Sequence, residues 1–335
     1  MKLSVVVPCR NEVGHIKKCV DNIYSNSICK VEPIEVIVVD GESDDGTLKV
    51  LEELQKVYPS LKVVNNQLRV TPIAFNLGIK HSKGSYIQIV GARQFVSHDY
   101  FEKAIKKFES SSEIWCIGGM VENLFEDDTS LIISEAMNSS FGVGTGNFRI
   151  AKKSTFVDTV GTPMYPAWVF DRIGYFDESL VRNQDDEFNF RVTRAGGKIL
   201  LYTEIKISYV VRAQMNKLFK QYWQYGYWKV FVNKKHNTVT NVRQLVPFLF
   251  VAFIFSFFLW PIFGLSFVYL GVLLLYFLGA CYFGIKATSK LYNLPHVVYT
   301  FFILHFSYGL GYANGILDFY ILNRTPRDSH RKISR

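Results

Sequence analysis

From Leu245 to Ile285 the chain runs 41 residues without an Asp, Glu, Lys or Arg. A run of that length is about twice the ~20 apolar residues a helix needs to cross a bilayer. Pro261 and Gly264 stand where a tight turn would divide it, which predicts spans at about 245–262 and 265–285. A third apolar segment, about 297–322, is interrupted by His305, Asn314, Asp318 and the glycines Gly309, Gly311 and Gly315, and so spans, re-enters or lies at the interface. Two spans return the chain at Lys286 and Lys290, and a third would carry the basic tail across. The positive-inside tendency therefore favours re-entry or an interfacial position, with the tail in the cytoplasm.

Charge follows the same division. Of the formal +9, residues 206–243 hold eight Lys/Arg and no acid, and residues 324–335 hold five against Asp328, so the remainder is acidic by three. A basic balance concentrated beside apolar segments suits anionic lipid headgroups, and it argues against a nucleic-acid partner. Between 214 and 232, Trp223, Trp228 and several other aromatics alternate with Lys217, Lys220 and Lys229, as in a helix lying in the headgroup layer, although a sugar-stacking platform has the same composition. The five cysteines form no C-x-x-C pair and no zinc spacing. The start, Met1-Lys2-Leu3-Ser4-Val5-Val6-Val7-Pro8, has no signal-peptide core, which predicts a cytoplasmic N-terminal domain.

That domain reads as alternating strands and helices. Strands are predicted at 3–7, 35–39, 61–65 and 86–90, with a helix after the first whose Ile16, Cys19, Val20 and Ile23 share one face. The alternation implies a mostly parallel sheet covered on both sides, with ligands at the C-terminal ends of its strands. The loops after strands one, two and four are then where chemistry belongs. Asp40 ends the second strand before a turn rich in donors, where it would face a nucleotide's base or ribose, while Asp44 and Asp45 serve equally well as helix caps. Pro8 to Glu12 places a polar loop after the first strand, where Glu12 also reads as first-turn helix charge.

Four segments, Val-Val-Val-Pro-Cys-Arg-Asn-Glu at 5–12, Val-Val-Asp-Gly-Glu-Ser-Asp-Asp-Gly-Thr at 38–47, Ala-Phe-Asn-Leu-Gly-Ile at 74–79 and Gln-Asp-Asp-Glu-Phe-Asn-Phe-Arg at 184–191, together resemble the family 2 inverting glycosyltransferases of GT-A fold. Within that family Phe141 to Gly144, the 221–228 stretch and Tyr308 to Gly311 resemble membrane-anchored succinoglycan-type glucosyltransferases. The resemblance implies donor-nucleotide contacts from Pro8, Glu12 and Asp40, and Arg10, Asn76 and Arg93 stand beside them as further candidate donor-site residues. It also implies Asp185 as general base, and support or acceptor roles for Asp186, Glu187, Arg191 and Gln221. The acidic triplet 185–187 would equally open a helix running through Arg191 and Arg194.

Two departures qualify the match. Where the family carries an acidic Asp-x-Asp type element holding a divalent metal, Mg or Mn, this chain has Gly91-Ala92-Arg93, so the metal ligands stay unassigned. Arg93 would offer the donor diphosphate a planar positive fork instead. His98-Asp99 just beyond reads as a helix start rather than as a displaced metal site. In Gln221-Tyr222-Trp223-Gln224-Tyr225, Gln224 replaces the Arg of processive enzymes, which points to single-sugar transfer.

The expected organisation is a GT-A α/β domain at 1–212, a basic aromatic interfacial region at 213–243, a membrane domain at 244–322 and a basic tail at 323–335. The expected activity is transfer of a hexose from a nucleotide-diphosphate sugar, taken as UDP-linked, to a polyprenyl-linked or other lipid acceptor by an integral membrane protein whose catalytic domain is cytoplasmic. The Gly91-Ala92-Arg93 element also admits a catalytically silent, transferase-like membrane scaffold.

Overall fold

The structure, a computed structural model, describes residues 1–125, 127–144, 153–211 and 214–326. The expected boundary at 212/213 and the tail beyond Pro326 lie outside them. The chain divides into two compact units, Met1–Leu124 with Ala151–Val210, and Phe125–Ile150 with Val211–Arg335.

In the first unit the elements run β1 Leu3–Cys9, α1 Ile16–Tyr24, β2 Glu35–Asp40, α2 Thr47–Val57, β3 Leu61–Asn65, α3 Thr71–His81, β4 Tyr86–Ile89, β5 Gln94–Val96, α4 Tyr100–Glu109 and β6 Ile114–Leu124. The intervening α5 Asp128–Met137 and α6 Ser140–Val143 belong to the second unit. The first unit resumes with β7 Thr155–Phe156, β8 Met164–Pro166, α7 Trp168–Ile173, α8 Gln184–Arg194 and β9 Lys198–Val210. β1 and β2 are buried almost throughout, as strands covered on both faces must be. The predicted face of α1 is the buried one, Ile16, Cys19, Val20 and Ile23.

The sheet order is β3-β2-β1-β4-β8-β6-β9-β5, with β7 on β9. β3, β2, β1 and β4 are parallel, as the β–α alternation requires. Beyond β4 the expectation of a mostly parallel sheet fails. Among the described residues β4–β8, β6–β8, β5–β9 and β7–β9 are antiparallel, and only β6–β9 is parallel. The reason is connectivity: β8 enters against β4 from the opposite direction, so the sheet is mixed and the nucleotide-type half ends at β4.

At the other edge of β1 and β2, Glu35 is buried and accepts from Ser4 Oγ at 2.6 Å, Lys62 Nζ at 2.7 Å and the Lys83 N–H at 2.5 Å. Burial alone would raise its pKa, but these donors together hold it below the ordinary carboxylate value. The cluster closes the N-terminal edge of the sheet and leaves the C-terminal edge to the site.

The second unit adds α9 Met215–His236, α10 Val246–Phe255, α11 Ser266–Ala287 and α12 Leu294–Ile316. α9 packs lengthwise on α12 because a Cβ at Gly226 would overlap the Tyr308 carbonyl and one at Gly311 the Trp223 carbonyl, so only glycine lets the two backbones meet. The aromatics expected in a headgroup layer therefore divide: Tyr227 and Trp228 are fully buried, and Phe219 is exposed. Tyr227 donates to the buried Asp318 at 3.0 Å. On α5, Glu135 accepts from Thr288 Oγ1, the Ser289 N–H and Ser289 Oγ, which ties the 128–137 helix to the turn between α11 and α12.

Among the described residues one helix, Ser266–Ala287, is long and apolar enough to cross a membrane. The apolar helical stretch before it ends at Phe258, and a turn through Pro261 and Gly264 separates the two. Most of the third apolar segment lies in one helix, Leu294–Ile316, which runs on into a π-helical turn at Leu317–Ile321.

Candidate active site

Three adjacent parallel strands, β2, β1 and β4, end side by side, and their loops carry the expected donor residues. Pro8 pairs in register with Val39 of β2. On the other side β1 stays with β4 only to Val6–Ile89, where Val90 donates to the Val6 carbonyl. Pro8 has no N–H to give a partner strand, so its position is one where β4 has already left. Just beyond, the aliphatic stem of Arg10 packs on Gly41, and Gly41 donates to the Cys9 carbonyl at 2.8 Å.

Asp40 closes β2, opposite Cys9 on one side and Asn65 on the other, and is 1% exposed. Ser43 grips it twice, from its N–H at 2.9 Å and its hydroxyl at 2.6 Å. Each carboxylate oxygen retains lone-pair capacity, so Asp40 is a rigid, pre-oriented acceptor. Asn11, Asp44 and Asp45 staple the first loop to the second. Asn11 donates to Asp44 at 2.8 Å and accepts the Asp44 N–H at 3.0 Å, while Asp45 accepts from Val13 N–H at 3.1 Å and Thr47 N–H at 3.0 Å. Burial opposes the Asp45 charge, yet the Thr47 hydroxyl and these N–H groups leave its pKa below the usual value. Both aspartates thus act as loop staples, and Asp45 also serves the start of α2.

The loops after β1 and β4 meet in an ion pair. Arg93 Nε donates to Glu12 Oε2 at 2.7 Å, with the Glu12 side chain 9% and the Arg93 side chain 27% exposed. The loop carrying Arg93 is itself fixed: the Gly91 N–H donates to Gln94 Oε1 at 2.6 Å, and the Arg93 carbonyl accepts from Val210. Below it the Cys19 thiol faces the Gly91 carbonyl at 3.7 Å. Burial, with the Glu12 charge adding, pushes its pKa up to about 12, so Cys19 is a neutral core thiol and no nucleophile.

This arrangement does not fit a divalent ion on the loop after β4. The loop presents a guanidinium where a metal-holding carboxylate would stand, and among the described residues no three His, Cys, Asp or Glu side chains cluster to hold a metal. His98-Asp99 is a helix start: Asp99 immediately precedes α4 and pairs with Lys103 at 2.7 Å.

The first turn of α8 carries Asp185, Asp186 and Glu187, where the positive end of the helix dipole favours negative charge. The three acids then part. Asp185 is exposed, and Asp186 is partly so. Glu187 is 1% exposed and bound by Arg191 Nε and Nη2, each at 2.9 Å. Arg191 also donates to the carbonyls of Ile173 at 2.6 Å and Tyr175 at 2.7 Å, so this pair holds the incoming chain. Asn76 grips the same segment from α3, donating to the Phe176 carbonyl and to Glu178 Oε1, both at 2.8 Å, and accepting the Phe176 N–H at 3.0 Å. Phe176 stacks on Phe188 with ring centroids 4.4 Å apart. Tyr165 on β8 donates to Asn189 of α8 at 2.9 Å, and burial, with Cys116 and Asp185 adding, raises its hydroxyl pKa well above the usual value. Asp185 is therefore an exposed carboxylate on a helix fixed from three sides.

Pro8, Arg10, Glu12, Asp40 and Arg93 thus share one sheet edge, and Asp185, Asp186, Glu187 and Arg191 share one helix. Asn76 ties the chain that leads into that helix. Gln221 lies in the second unit, where its amide donates to the Tyr225 hydroxyl at 2.7 Å. Ser43, Asn11, Phe176 and Tyr165 were not singled out from sequence. Ser43 and Asn11 carry a turn-residue signal, whereas Phe176 and Tyr165 depend on partners distant in the chain.

Residues 4–168 match the model described as glycosyl transferase family 2. The dolichyl N-acetyl-alpha-D-glucosaminyl phosphate 3-beta-D-2,3-diacetamido-2,3-dideoxy-beta-D-glucuronosyltransferase of Methanococcus voltae is 30% identical over 315 residues, 92% of this chain and 95% of its own. Succinoglycan biosynthesis protein ExoA of Rhizobium meliloti (strain 1021) is 23% identical over 94% of this chain and 95% of its own. Among solved structures, S. aureus TarS 1-349 covers 98% of this chain and 93% of its own at a TM-score of 0.52 and 17% identity. A mannosyltransferase from Pyrobaculum calidifontis, solved with GDP-Man and Mn2+, covers 70% of this chain and 64% of its own at a TM-score of 0.52 and 18% identity.

Proposed function

The chain belongs to glycosyl transferase family 2 and has a GT-A-like α/β fold, and from that premise we propose that it moves one hexose, with inversion, from a UDP-linked donor to a lipid-linked acceptor at the cytoplasmic face of a membrane. Asp40 takes the nucleotide end of the donor. Asp185 takes the proton of the acceptor hydroxyl as its oxygen attacks the anomeric carbon, and the nucleoside diphosphate leaves from the opposite face. Asn76, Glu187 and Arg191 position the helix that carries Asp185, and Gln221 acts on the acceptor side.

The observation that carries the acceptor class is the similarity to the Methanococcus voltae enzyme, whose name specifies a dolichyl phosphate-linked sugar and whose match takes in 92% of this chain. The lipid-facing surface is consistent with it. Phe267, Leu270, Leu274, Leu275 and Leu278 of α11 are exposed, a surface that water does not favour, and we assign α11 as a membrane span. Gln224, 1% exposed and standing where processive enzymes have Arg, supports a single transfer. The test is nucleotide release from a panel of sugar nucleotides, with and without a dolichyl or polyprenyl phosphate-linked saccharide. Release from one UDP-sugar that requires the lipid-linked acceptor supports the proposal, and equal release with a free monosaccharide refutes the acceptor class.

A further inference from the structure

We infer that Arg93 holds the donor's diphosphate in place of a divalent metal, and that Glu12 is the positioning residue that aims it. The inference rests on the donor reading above.

β1 and β4 are neighbours in the sheet, and their C-terminal loops meet in the Arg93–Glu12 pair, while β2 and Asp40 flank β1 on its other side. The loop after β4 brings no carboxylate to that point and brings a guanidinium instead. Arg93 spends only its Nε on Glu12. Among the described residues its Nη1 and Nη2 groups take no protein partner. Those two groups form the planar fork that binds phosphate oxygens in pairs.

An unattached arginine would lose side-chain freedom on binding an anion. Here Glu12 has already restricted the side chain through Nε, and the turn from Gly91 to Gln94 has fixed its backbone. The orientation is therefore prepared before the donor arrives. Glu12 has a second effect of opposite sign, because its charge lies close to the diphosphate and opposes it. A neutral residue that still accepts from Nε should keep the aim and remove the opposition. This assignment also separates Glu12 from Asp40: Asp40 reads the nucleoside, and Glu12 acts on the diphosphate through Arg93.

The test is calorimetry on the full-length chain in detergent with excess EDTA, comparing nucleoside with nucleoside diphosphate (uridine with UDP, guanosine with GDP). The readout is the affinity ratio of diphosphate to nucleoside. In the wild type this ratio should be about 10- to 100-fold without metal. Arg93→Ala should bring it close to one while nucleoside affinity stays unchanged, which also shows that the variant is folded. Arg93→Lys should give an intermediate ratio. Glu12→Gln should raise the ratio and leave nucleoside affinity alone. A ratio that appears only when Mn2+ is added, or that survives Arg93→Ala, overturns the inference while leaving the donor reading intact. Loss of nucleoside affinity in Glu12→Gln overturns the positioning role. Failure of every nucleoside and diphosphate to bind, with or without metal, would overturn the donor reading itself and this inference with it.

Discussion

Replacing Arg191 with Met removes the side chain that holds the start of α8 without altering a residue assigned to the chemistry. Arg191 makes four hydrogen bonds, two to Glu187 and one each to the Ile173 and Tyr175 carbonyls. Met fills much of the same space and makes none of them. The larger effect is on Glu187, which is 1% exposed and would lose both of its charge-assisted bonds from Arg191. Removing one partner of a buried pair costs about 3–5 kcal/mol. In a domain of this size that corresponds to a fall of roughly 10 °C in Tm. Glu187→Gln in the same chain removes the carboxylate charge, so the double variant should be more stable than Arg191→Met alone, a coupling that a double-mutant cycle measures. Transfer should fall further than stability predicts at the assay temperature, because a displacement of about 1 Å at Asp185 is enough to cost ~100-fold. Thermal unfolding in detergent, with kcat/KM measured well below Tm, reads both effects. A loss under about 1 kcal/mol with wild-type turnover would refute the clamp.

Asp40→Ala should weaken binding of the bare nucleoside by about tenfold or more, since it removes a charged acceptor held ready by Ser43, and calorimetry with uridine would show it. Glu35 has a depressed folded pKa, so its contribution to stability is present above its unfolded value of 4.5 and is lost as pH falls through the lower folded value; Glu35→Gln should flatten the decline of Tm below pH 4.5 and leave turnover at neutral pH unchanged. Gly311→Ala should prevent α9 from seating on α12, because the new methyl meets the Trp223 carbonyl, and should be read as loss of a sharp thermal transition in the second unit. The same substitution at Gly271, which has open space around it, should be silent.

The half of the sheet that could be read from sequence is the half built by local rules. β1 to β4 are apolar runs punctuated by turns and followed by helices, and each lies within a residue or two of its expected place. β6 and β9 escaped because their partners are distant: Ile114 meets Lys198 and Leu124 meets Val210, and no local pattern announces such a pairing. The same limit applies to α9. Trp228, Tyr227 and the lysines around them have the composition of an interfacial helix, yet Gly226 and Gly311 decide what Tyr227 and Trp228 touch, and Gly311 lies 85 residues away from Gly226. Near the site, the placement of Asp40 at the end of a strand and of Asp185 in the first turn of a helix was legible because each sits at an element boundary with a recognisable neighbourhood. The Arg93–Glu12 pair was not, since Glu12 was read as a nucleotide contact or as first-turn helix charge, and no local pattern pairs it with a residue 81 positions further on.

The central claim is that Asp185 takes the acceptor's proton, and Asp185→Asn tests it most directly, because the amide keeps the shape and loses the basicity. Turnover with donor and lipid-linked acceptor should fall by about 10²–10⁴-fold, with UDP affinity measured on the same preparation unchanged. Turnover within tenfold of wild type, or a parallel loss of UDP binding, would contradict it.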